Sequence, residues 1–232
     1  MDVKPDTGPL NLDYRYHRII RCATEAFLAN GYAGTSVEDI AIMASVSKPT
    51  IYKMIGDKYD LAKVVLEELA SSFENDCRRA IDLDATLETC LLKFAMAYIS
   101  WMNWQVGKSN NYGCVRLLVE MSSQHPEIPE MWVDLSRKGV SGVLSEYIKK
   151  RIELGDFMEE DPLFIAAQFI RTIYYASESI MAKDLYITDV SQTRRKIRMF
   201  LRGATSRAYR VARVARLQSA QLELSKSAEG AQ

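Results

Sequence analysis

Residues 36–58 read SVEDIAIMASVSKPTIYKMIGDK, and this stretch decides the fold of the N-terminal part of the chain. Ser36, with Asp39 three residues later, resembles a capping box in which Asp replaces the usual Glu, so a helix is expected to begin here. The apolar residues that follow recur at the spacing of one helix face: Val37, Ile40, Ala41 and Ala44. The pattern predicts a helix of about two turns.

A second short helix is predicted directly after this one. Ser47 is a favourable N-cap residue, and Pro49 is tolerated because amide groups in a first helical turn have no helical partner. Ile51 and Ile55 are expected to point inward, and Gly56 ends the helix. The outward side then consists of small, polar and basic residues: Lys48, Pro49, Thr50, Tyr52 and Lys53.

Two short helices joined by about three residues make a helix-turn-helix, and the second helix has the diameter to enter the major groove of DNA. Helical hairpins also occur in ordinary bundles, so the geometry alone leaves plain packing open. A longer helix precedes the pair, with apolar residues at helical spacing from Ile19 to Phe27 and a stop at Asn30 and Gly31. Residues 13–58 are therefore predicted to form a three-helix headpiece.

The rest of the chain shows helical spacing and no strand alternation. Eleven glycines and six prolines are few for 232 residues, which disfavours a turn-rich β protein. We expect an all-α protein of about nine helices, with a helical bundle over 59–218, a flexible arm over 1–12 and a flexible tail over 219–232. Beyond the headpiece, the expected helices cover residues 57–81, a stretch from Asp84 or Thr86 to 107, and residues 114–123, 129–154, 162–183 and 191–218.

Composition excludes several classes of protein. The longest uncharged apolar stretch, residues 94–107, is too short and too polar to cross a bilayer. Four cysteines without a C-x-x-C pair, and two histidines, indicate neither a zinc site nor a disulfide framework. A reducing cytoplasm is the expected location, and neither a cofactor nor a metal is expected.

The balanced net charge conceals an uneven distribution. Residues 61–189 carry 13 basic and 20 acidic side chains, whereas residues 190–232 carry ten basic and two acidic ones. The arginines that begin at Arg194 are expected to line the outer side of the last helix and to meet acids such as Glu159, Glu160 and Asp161. A contact with nucleic acid is the alternative.

The headpiece resembles the tetracycline-repressor (TetR) family over residues 14–66. The residues that carry the likeness are Ala26-Phe27, Gly31-Tyr32, Thr35-Ser36-Val37, Asp39-Ile40-Ala41, Val46-Ser47-Lys48, Thr50-Ile51-Tyr52 and Lys58. The likeness implies a DNA-binding headpiece, a connecting fourth helix and a variable helical domain that binds a small effector and dimerises. Residues 94–162 also resemble, more loosely, the C-terminal domain of the AefR and AcrR branch.

Three positions depart from the family pattern. Met54 stands where Tyr or His is usual, Ile55 where Phe is usual, and Tyr59 where an acid is common. Pro49 replaces the commoner glycine, as it does in the tetracycline repressor. The operator sequence therefore cannot be inferred from relatives.

The resemblance and the chemistry of the side chains predict a set of DNA contacts. Thr35 or Ser36, Tyr52 and Lys58 are expected to reach phosphate oxygens. Lys48, Thr50 and Lys53 are expected to reach base edges. The full predicted set is Thr35, Ser36, Ser47, Lys48, Pro49, Thr50, Tyr52, Lys53 and Lys58. Binding to a palindromic operator as a homodimer, with repression as the family's usual mode, is the predicted function.

Large apolar and aromatic residues of several later helices are predicted to line a site for an apolar or aromatic effector: Phe94, Tyr98, Trp101, Met102, Leu117, Met121, Phe169 and Ile173. The ordinary alternative for each of them is the hydrophobic core. The resemblance places the dimer interface in the last two helices, and its predicted residues are Phe164, Ala167, Arg171, Phe200, Gly203 and Ala204.

Two other classes of function compete with this prediction. A helical enzyme lacks support, because the sequence contains no Glu-x-x-His pair, no H-E-x-x-H, no glycine-rich phosphate loop and no G-x-S-x-G turn. A DNA-binding protein without a small-molecule effector is the main alternative to a ligand-responsive regulator.

Overall fold

The computed structural model describes residues 9–106, 113–173, 190–212 and 214. These residues form ten α-helices of seven residues or more. Within the same residues there is no β-strand, and one isolated antiparallel bridge joins Phe157 to Thr205. The protein is all-α, as the helical spacing and the scarcity of glycine and proline predict.

The first three helices have the lengths expected for the headpiece. They are α1 (Pro9–Asn30), α2 (Val37–Met43) and α3 (Lys48–Met54). The remaining helices are α4 (Lys58–Ala80), α5 (Leu87–Val106), α6 (Gly113–Ser122), α7 (Ile128–Ser136), α8 (Gly142–Glu153), α9 (Pro162–Ile173) and α10 (Val190–Ala204). Residues 207–212 are again helical.

The first helix begins earlier than the flexible arm predicted over residues 1–12 allows. It starts at Pro9, and proline is accepted there because a first-turn amide has no helical acceptor to lose. Residues 1–8 lie outside the described residues, as does the predicted tail over 219–232.

The single helix predicted over residues 129–154 is wrong. Two helices stand there, α7 and α8, joined by a π-helical turn over Arg137–Ser141. A Cβ atom at Gly139 would lie 3.2 Å from the Glu74 carboxylate of α4, so the wide turn brings the backbone close to a neighbouring helix. Apolar spacing does not reveal a π turn, because a local change of pitch leaves the sequence pattern nearly unchanged.

The helix predicted over residues 191–218 is also interrupted. α10 ends at Ala204, and the next backbone groups bond to the loop after α8 instead of continuing the helix. Met158 donates to the Ala204 carbonyl at 3.0 Å, and Ser206 donates to the Asp156 carbonyl at 2.9 Å. The break thus depends on a loop about fifty residues earlier in the chain.

Two compact units make up the chain. Unit 1 contains Met1–Asn75 and Ser100–Gly139, and unit 2 contains Asp76–Ile99 and Val140–Gln232. The core of unit 1 includes Phe27, Ile40, Ile51, Leu61 and Leu66. The core of unit 2 includes Leu91, Phe94, Tyr147, Phe157 and Phe169. The headpiece therefore shares a unit with α6, α7 and most of α4.

Candidate nucleic-acid interface

The N-terminus of α2 is capped as the sequence predicts. The Ser36 hydroxyl accepts from the Asp39 amide at 3.1 Å and donates to the Asp39 carboxylate at 2.6 Å. Val37 and Ile40 are buried on the inner side of the helix. The short helix is therefore held by its cap and by burial, because two turns have little helical stability of their own.

The turn between α2 and α3 is tight and is tied to α1. Ser45 adopts a left-handed conformation with φ 49°, and the Val46 amide donates to the Ala41 carbonyl at 2.9 Å. The Arg18 guanidinium of α1 donates to the Ser45 carbonyl at 3.2 Å. These bonds fix the direction in which α3 leaves the turn.

The next helix, α3, has one buried and one exposed side. The Ser47 hydroxyl caps it by accepting from the Thr50 amide at 3.3 Å, and Ile51 is fully buried. Pro49 and Lys53 are exposed, and Tyr52 is 45% exposed. Tyr52 is thus on the solvent side of the helix. The outward residues offer an ammonium, hydroxyls and apolar surface, which are the groups that contact phosphates and base edges.

A charged pair lies at the start of this exposed side. The Lys48 ammonium donates to the Glu38 carboxylate of α2, and its nitrogen lies 5.7 Å from the centre of the Tyr52 ring. The hydrogen bond from Lys48 lowers the pKa of Glu38, and the same bond raises the pKa of Lys48. Both groups are therefore charged at neutral pH.

The junction between α3 and α4 also has a fixed geometry. Gly56 has φ 124°, which a side chain would disfavour, and Asp57 caps α4 by accepting from the Tyr59 amide at 2.8 Å. The Lys58 ammonium lies 4.5 Å from the centre of the Tyr32 ring. This contact holds the first side chain of α4 against the end of α1.

Thr35 does not face solvent. Its side chain is buried, with 3% of the residue exposed, and its hydroxyl donates to the carbonyls of Ala26 at 3.2 Å and Gly31 at 2.8 Å. This burial removes the Thr35 hydroxyl from the groups that can reach a phosphate. Ser36 is partly exposed, and its hydroxyl serves the cap of α2.

Sequence reasoning did not find a cluster around Tyr59. The Tyr59 hydroxyl donates to the Glu127 carboxylate at 2.6 Å, and its ring lies 4.0 Å from the His125 ring, centre to centre. The hydrogen bond to Glu127 raises the pKa of Tyr59 to about 12. In the sequence, only the departure from the family pattern at position 59 indicates this cluster. The cluster joins the start of α4 to the loop before α7.

Further contacts join α1 to α6 within unit 1. The Ala33 amide donates to the Glu120 carboxylate at 2.9 Å, and the Arg116 guanidinium donates to the Leu28 carbonyl at 3.4 Å. A Cβ atom at Gly113 would lie 2.9 Å from the same carbonyl, so the backbones approach closely. The headpiece is therefore attached to α6 as well as to α4.

A family model described as bacterial regulatory proteins, tetR family, matches residues 19–65. The matched residues run from the buried face of α1 through the helix-turn-helix into α4. Residues 19–65 are therefore similar to the N-terminal domain of the tetR family. The tetR family consists of regulatory proteins and not of enzymes, as the sequence predicts.

One curated relative is the HTH-type transcriptional regulator HbdR of Aromatoleum sp. (strain CIB), 36% identical over 76 residues. The match covers 33% of this chain and 33% of HbdR, so it spans a third of that protein. A protein from Mesorhizobium loti MAFF303099 assigned to the TetR family superimposes with a TM-score of 0.74 at 21% identity, covering 84% of this chain and 98% of that one. The flavonoid-responsive regulator FrrA superimposes with a TM-score of 0.67 at 22% identity, covering 84% and 99%. These two structures share the tetR fold.

Four of the predicted effector residues lie in unit 2. The Phe94 ring is 6.4 Å from the Tyr98 ring and 6.2 Å from the Phe169 ring, centre to centre, and Ile173 is buried one turn beyond Phe169. Burial raises the pKa of Tyr98 to about 12. The rings of Phe94, Tyr98 and Phe169 therefore form one aromatic cluster.

The other predicted effector residues lie in unit 1. Leu117 and Met121 of α6 are buried, and the Trp101 ring stacks on Phe73 at 4.1 Å between centres. The side chain of Met102 lies outside the described residues. The predicted effector set is thus divided between the two units.

The predicted dimer residues of α9 are on its outer side. Phe164 is 52% exposed, Arg171 is exposed and Ala167 is half-buried. On α10, Gly203 is exposed and Ala204 is half-buried. A large exposed ring beside small residues offers apolar surface for helix packing.

Phe200 has a different environment from the other predicted dimer residues. It is half-buried, and its ring centre lies 5.1 Å from that of Phe169 and 6.5 Å from that of Phe157. It therefore contributes to the core of unit 2 with part of its surface.

The expected pairing of the arginines with Glu159, Glu160 and Asp161 is wrong for Arg194 and Arg198. Both pair with Glu88 of α5, at 3.3 and 2.9 Å. Glu88 is 14% exposed, so this carboxylate is largely buried between two guanidinium groups.

Asp161 serves as the N-cap of α9. Its carboxylate accepts from the Leu163 amide at 3.1 Å and from the Phe164 amide at 3.3 Å. The Asp161 carboxylate, expected from the sequence to pair with the arginines, therefore accepts from backbone amides instead.

All four cysteines are free thiols and are buried. Among the described residues, no group of three or more metal-ligating side chains comes together. No helix in the part of the chain that the structure describes is both long and apolar enough to cross a membrane.

Proposed function

We propose that the protein is a DNA-binding transcriptional regulator that binds a palindromic operator as a homodimer and is released by a small apolar or aromatic effector. The observation that carries the proposal is the exposed polar side of α3. Ile51 anchors the helix to the core, while Lys48, Tyr52 and Lys53 lie at the surface of a headpiece held by caps. An exposed helix on a rigid support suits insertion into the major groove.

The proposed contacts fall into two groups. Ser36, Tyr52 and Lys58 are assigned to phosphate oxygens, because they lie around the edge of the exposed helix. Lys48, Thr50 and Lys53 are assigned to base edges, with Ser47 and Pro49 contributing close contact at the helix start. Thr35 is left out of this set because its hydroxyl is buried.

The dimer is proposed to form through α9 and α10. Phe164 and Met199 expose apolar surface on these helices, at 52% and 66%, and Gly203 has no atom within 4 Å of an added Cβ. Because these groups are unburied in one copy, a second copy packed on the same face would bury them. A two-fold dimer would present two headpieces to one duplex, with half-sites about one helical turn apart.

The effector is proposed to be apolar or aromatic. The cluster of Phe94, Tyr98 and Phe169 supplies ring surface and one hydroxyl in unit 2. FrrA, which has a similar fold, is described as flavonoid-responsive, and an aromatic effector for this chain is proposed by analogy. An effector that prefers one spacing of the headpieces would shift the population away from the DNA-bound form.

Selection of duplexes from a random DNA library tests the DNA-binding proposal. We expect a palindromic site, bound with an affinity that falls steeply as salt rises from 50 to 200 mM, on the order of 10³-fold or more for six to ten phosphate contacts. Recovery of no preferred duplex, or a flat salt profile, would contradict the proposal.

A thermal-shift screen with aromatic small molecules tests the effector. We expect a compound that raises the melting temperature to weaken binding to the selected duplex as well. Stabilisation by no compound, together with sequence-specific binding, would favour a DNA-binding protein without an effector.

A further inference from the structure

The lysine proposed to read DNA is already paired with a carboxylate of its own headpiece. Lys48, the first residue of α3, donates its ammonium hydrogen to Glu38, a first-turn residue of α2. The same ammonium nitrogen lies 5.7 Å from the centre of the exposed Tyr52 ring. Three side chains from two helices therefore meet on the surface that faces DNA in the proposed complex.

This pair contributes little to folding. The Lys48 and Glu38 side chains are 40% and 57% exposed, and exposed ion pairs add little to stability because water and salt screen them. α2 and α3 are also held by their serine caps and by buried Ile40 and Ile51. The carboxylate is thus not required for the helix-turn-helix geometry.

The Glu38 carboxylate has a larger effect on DNA binding than on folding, because DNA is a polyanion. We propose that Glu38 restrains the affinity of the headpiece for DNA: it holds the Lys48 ammonium and releases it only to a DNA site that offers better acceptors. The inference rests on the proposed function. A guanine edge presents two acceptors, O6 and N7, in the major groove, whereas non-specific binding relies on phosphate charge alone.

The Lys48–Glu38 pair affects binding to the preferred DNA sequence differently from binding to other sequences. While Lys48 is paired with Glu38, the pair adds no net positive charge, so it contributes nothing to non-specific attraction. Transferring Lys48 to a phosphate would leave Glu38 unpaired beside other phosphates. The cost of breaking the pair is therefore borne mainly at the preferred site, where Lys48 is released to the base, and Glu38 lowers the affinity there.

The variant E38Q tests the proposal. The probes are the duplex recovered by selection and a scrambled duplex of the same length and composition. We expect the affinity for the scrambled duplex to rise about 8-fold per headpiece at 0.1 M salt, and the slope of log affinity against log salt to steepen by about 0.9 per headpiece. The affinity for the selected duplex should rise more, because the unmodified protein bears the full cost of releasing Lys48 from Glu38 there, so that the ratio of specific to non-specific binding rises.

Two further variants separate this role from simpler ones. E67Q makes the same charge change nine residues beyond Lys58 on α4, about 14 Å along the helix, and is expected to leave the ratio unchanged. In a K48M background, E38Q should lose most of its effect, because no ammonium remains to be released. Thermal unfolding of E38Q should match that of the unmodified protein, since the pair is exposed.

The outcomes distinguish the two proposals. If the unmodified protein binds neither duplex, the proposed function fails and this inference fails with it. If the unmodified protein binds the selected duplex but E38Q has the same slope and ratio, only the role of Glu38 is overturned. An equal effect of E67Q, or a full effect of E38Q in the K48M background, would also overturn it.

Discussion

The hydroxyl groups of the headpiece have different structural roles, which depend on whether each side chain is buried. Ser36 and Ser47 cap helices at the surface, whereas Thr35 lies in the core and donates to two carbonyls from the end of α1 and the turn after it. Thr50 is partly exposed, with its hydroxyl oxygen 2.8 Å from that of Ser47. Neighbouring residues of similar chemistry are therefore expected to differ in their access to DNA.

Matched valine substitutions of two threonines test this assignment. T35V should lower the free energy of unfolding by about 1–3 kcal/mol, because two carbonyls lose their buried donor. It should leave the salt slope of DNA binding unchanged. T50V should cost less stability and weaken binding to the selected duplex, since Thr50 lies on the exposed side of α3.

Urea unfolding and a DNA titration at several salt concentrations measure both quantities. A T35V protein of full stability with weakened DNA binding would show that the buried hydroxyl is not the structural group described here.

Helix ends, rather than helix centres, set the direction of the elements in the headpiece. α3 ends at Met54, Gly56 two residues later has a positive φ, and the Asp60 carboxylate accepts from the Asp57 amide at 3.1 Å in the same turn. A Cβ atom at Gly56 would collide with that carboxylate. The turn from α3 into α4 therefore depends on both the backbone conformation and the space at residue 56.

The two glycines at positions 56 and 155 provide a comparison of these effects. Gly155 also has a positive φ, 77°, but an added Cβ there meets nothing within 4 Å. G155A should cost about 1–2 kcal/mol, which is the penalty for a left-handed conformation alone. G56A should cost about 1 kcal/mol more, because Asp60 must also leave its capping position.

Chemical unfolding of both variants gives the two free energies. Equal losses would mean that the Asp60 contact adds nothing to the conformational penalty.

At the scale of the whole molecule, exposed apolar side chains remain on the helices proposed to pair two copies. Phe164 exposes about half of its surface on α9, next to half-buried Ala167 one turn further along. In unit 2, Glu88 pairs with Arg194 and Arg198 of α10, so these two arginines already have an acidic partner within one copy. The dimer proposal therefore rests on apolar surface and not on these arginines.

The variant F164E tests the dimer, with L154E as the control. Leu154 is 68% exposed at the end of α8 and lies outside the proposed interface. Because Phe164 is 52% exposed in one copy, burial of the rest of its ring should contribute about 1–1.5 kcal/mol for each copy. F164E should therefore weaken association by about 2–3 kcal/mol for the dimer, or up to about a hundredfold in Kd. L154E should leave association unchanged.

Sedimentation at several protein concentrations measures the change in association. Identical dimerisation of both variants would exclude Phe164 from the interface.

Much of the headpiece could be read from local signals. Ser36 and Ser47 bond to amides three residues away, Ile51 follows helical spacing to the core, and Gly56 ends the helix. Such features involve residues within one or two turns, so the order of residues is enough to predict them. The likeness of residues 19–65 to the tetR family and the all-α fold follow from the same signals.

Tertiary structure alone decided the partners of the charged and polar side chains. Tyr59 bonds to Glu127 across 68 positions, Arg198 bonds to Glu88 across 110, and Lys48 pairs with Glu38 of another helix. The break after Ala204 likewise depends on the loop after α8, to which the next backbone groups bond. A local pattern specifies a helix and its inward face, but only packing brings distant helices close enough to select which donor meets which acceptor.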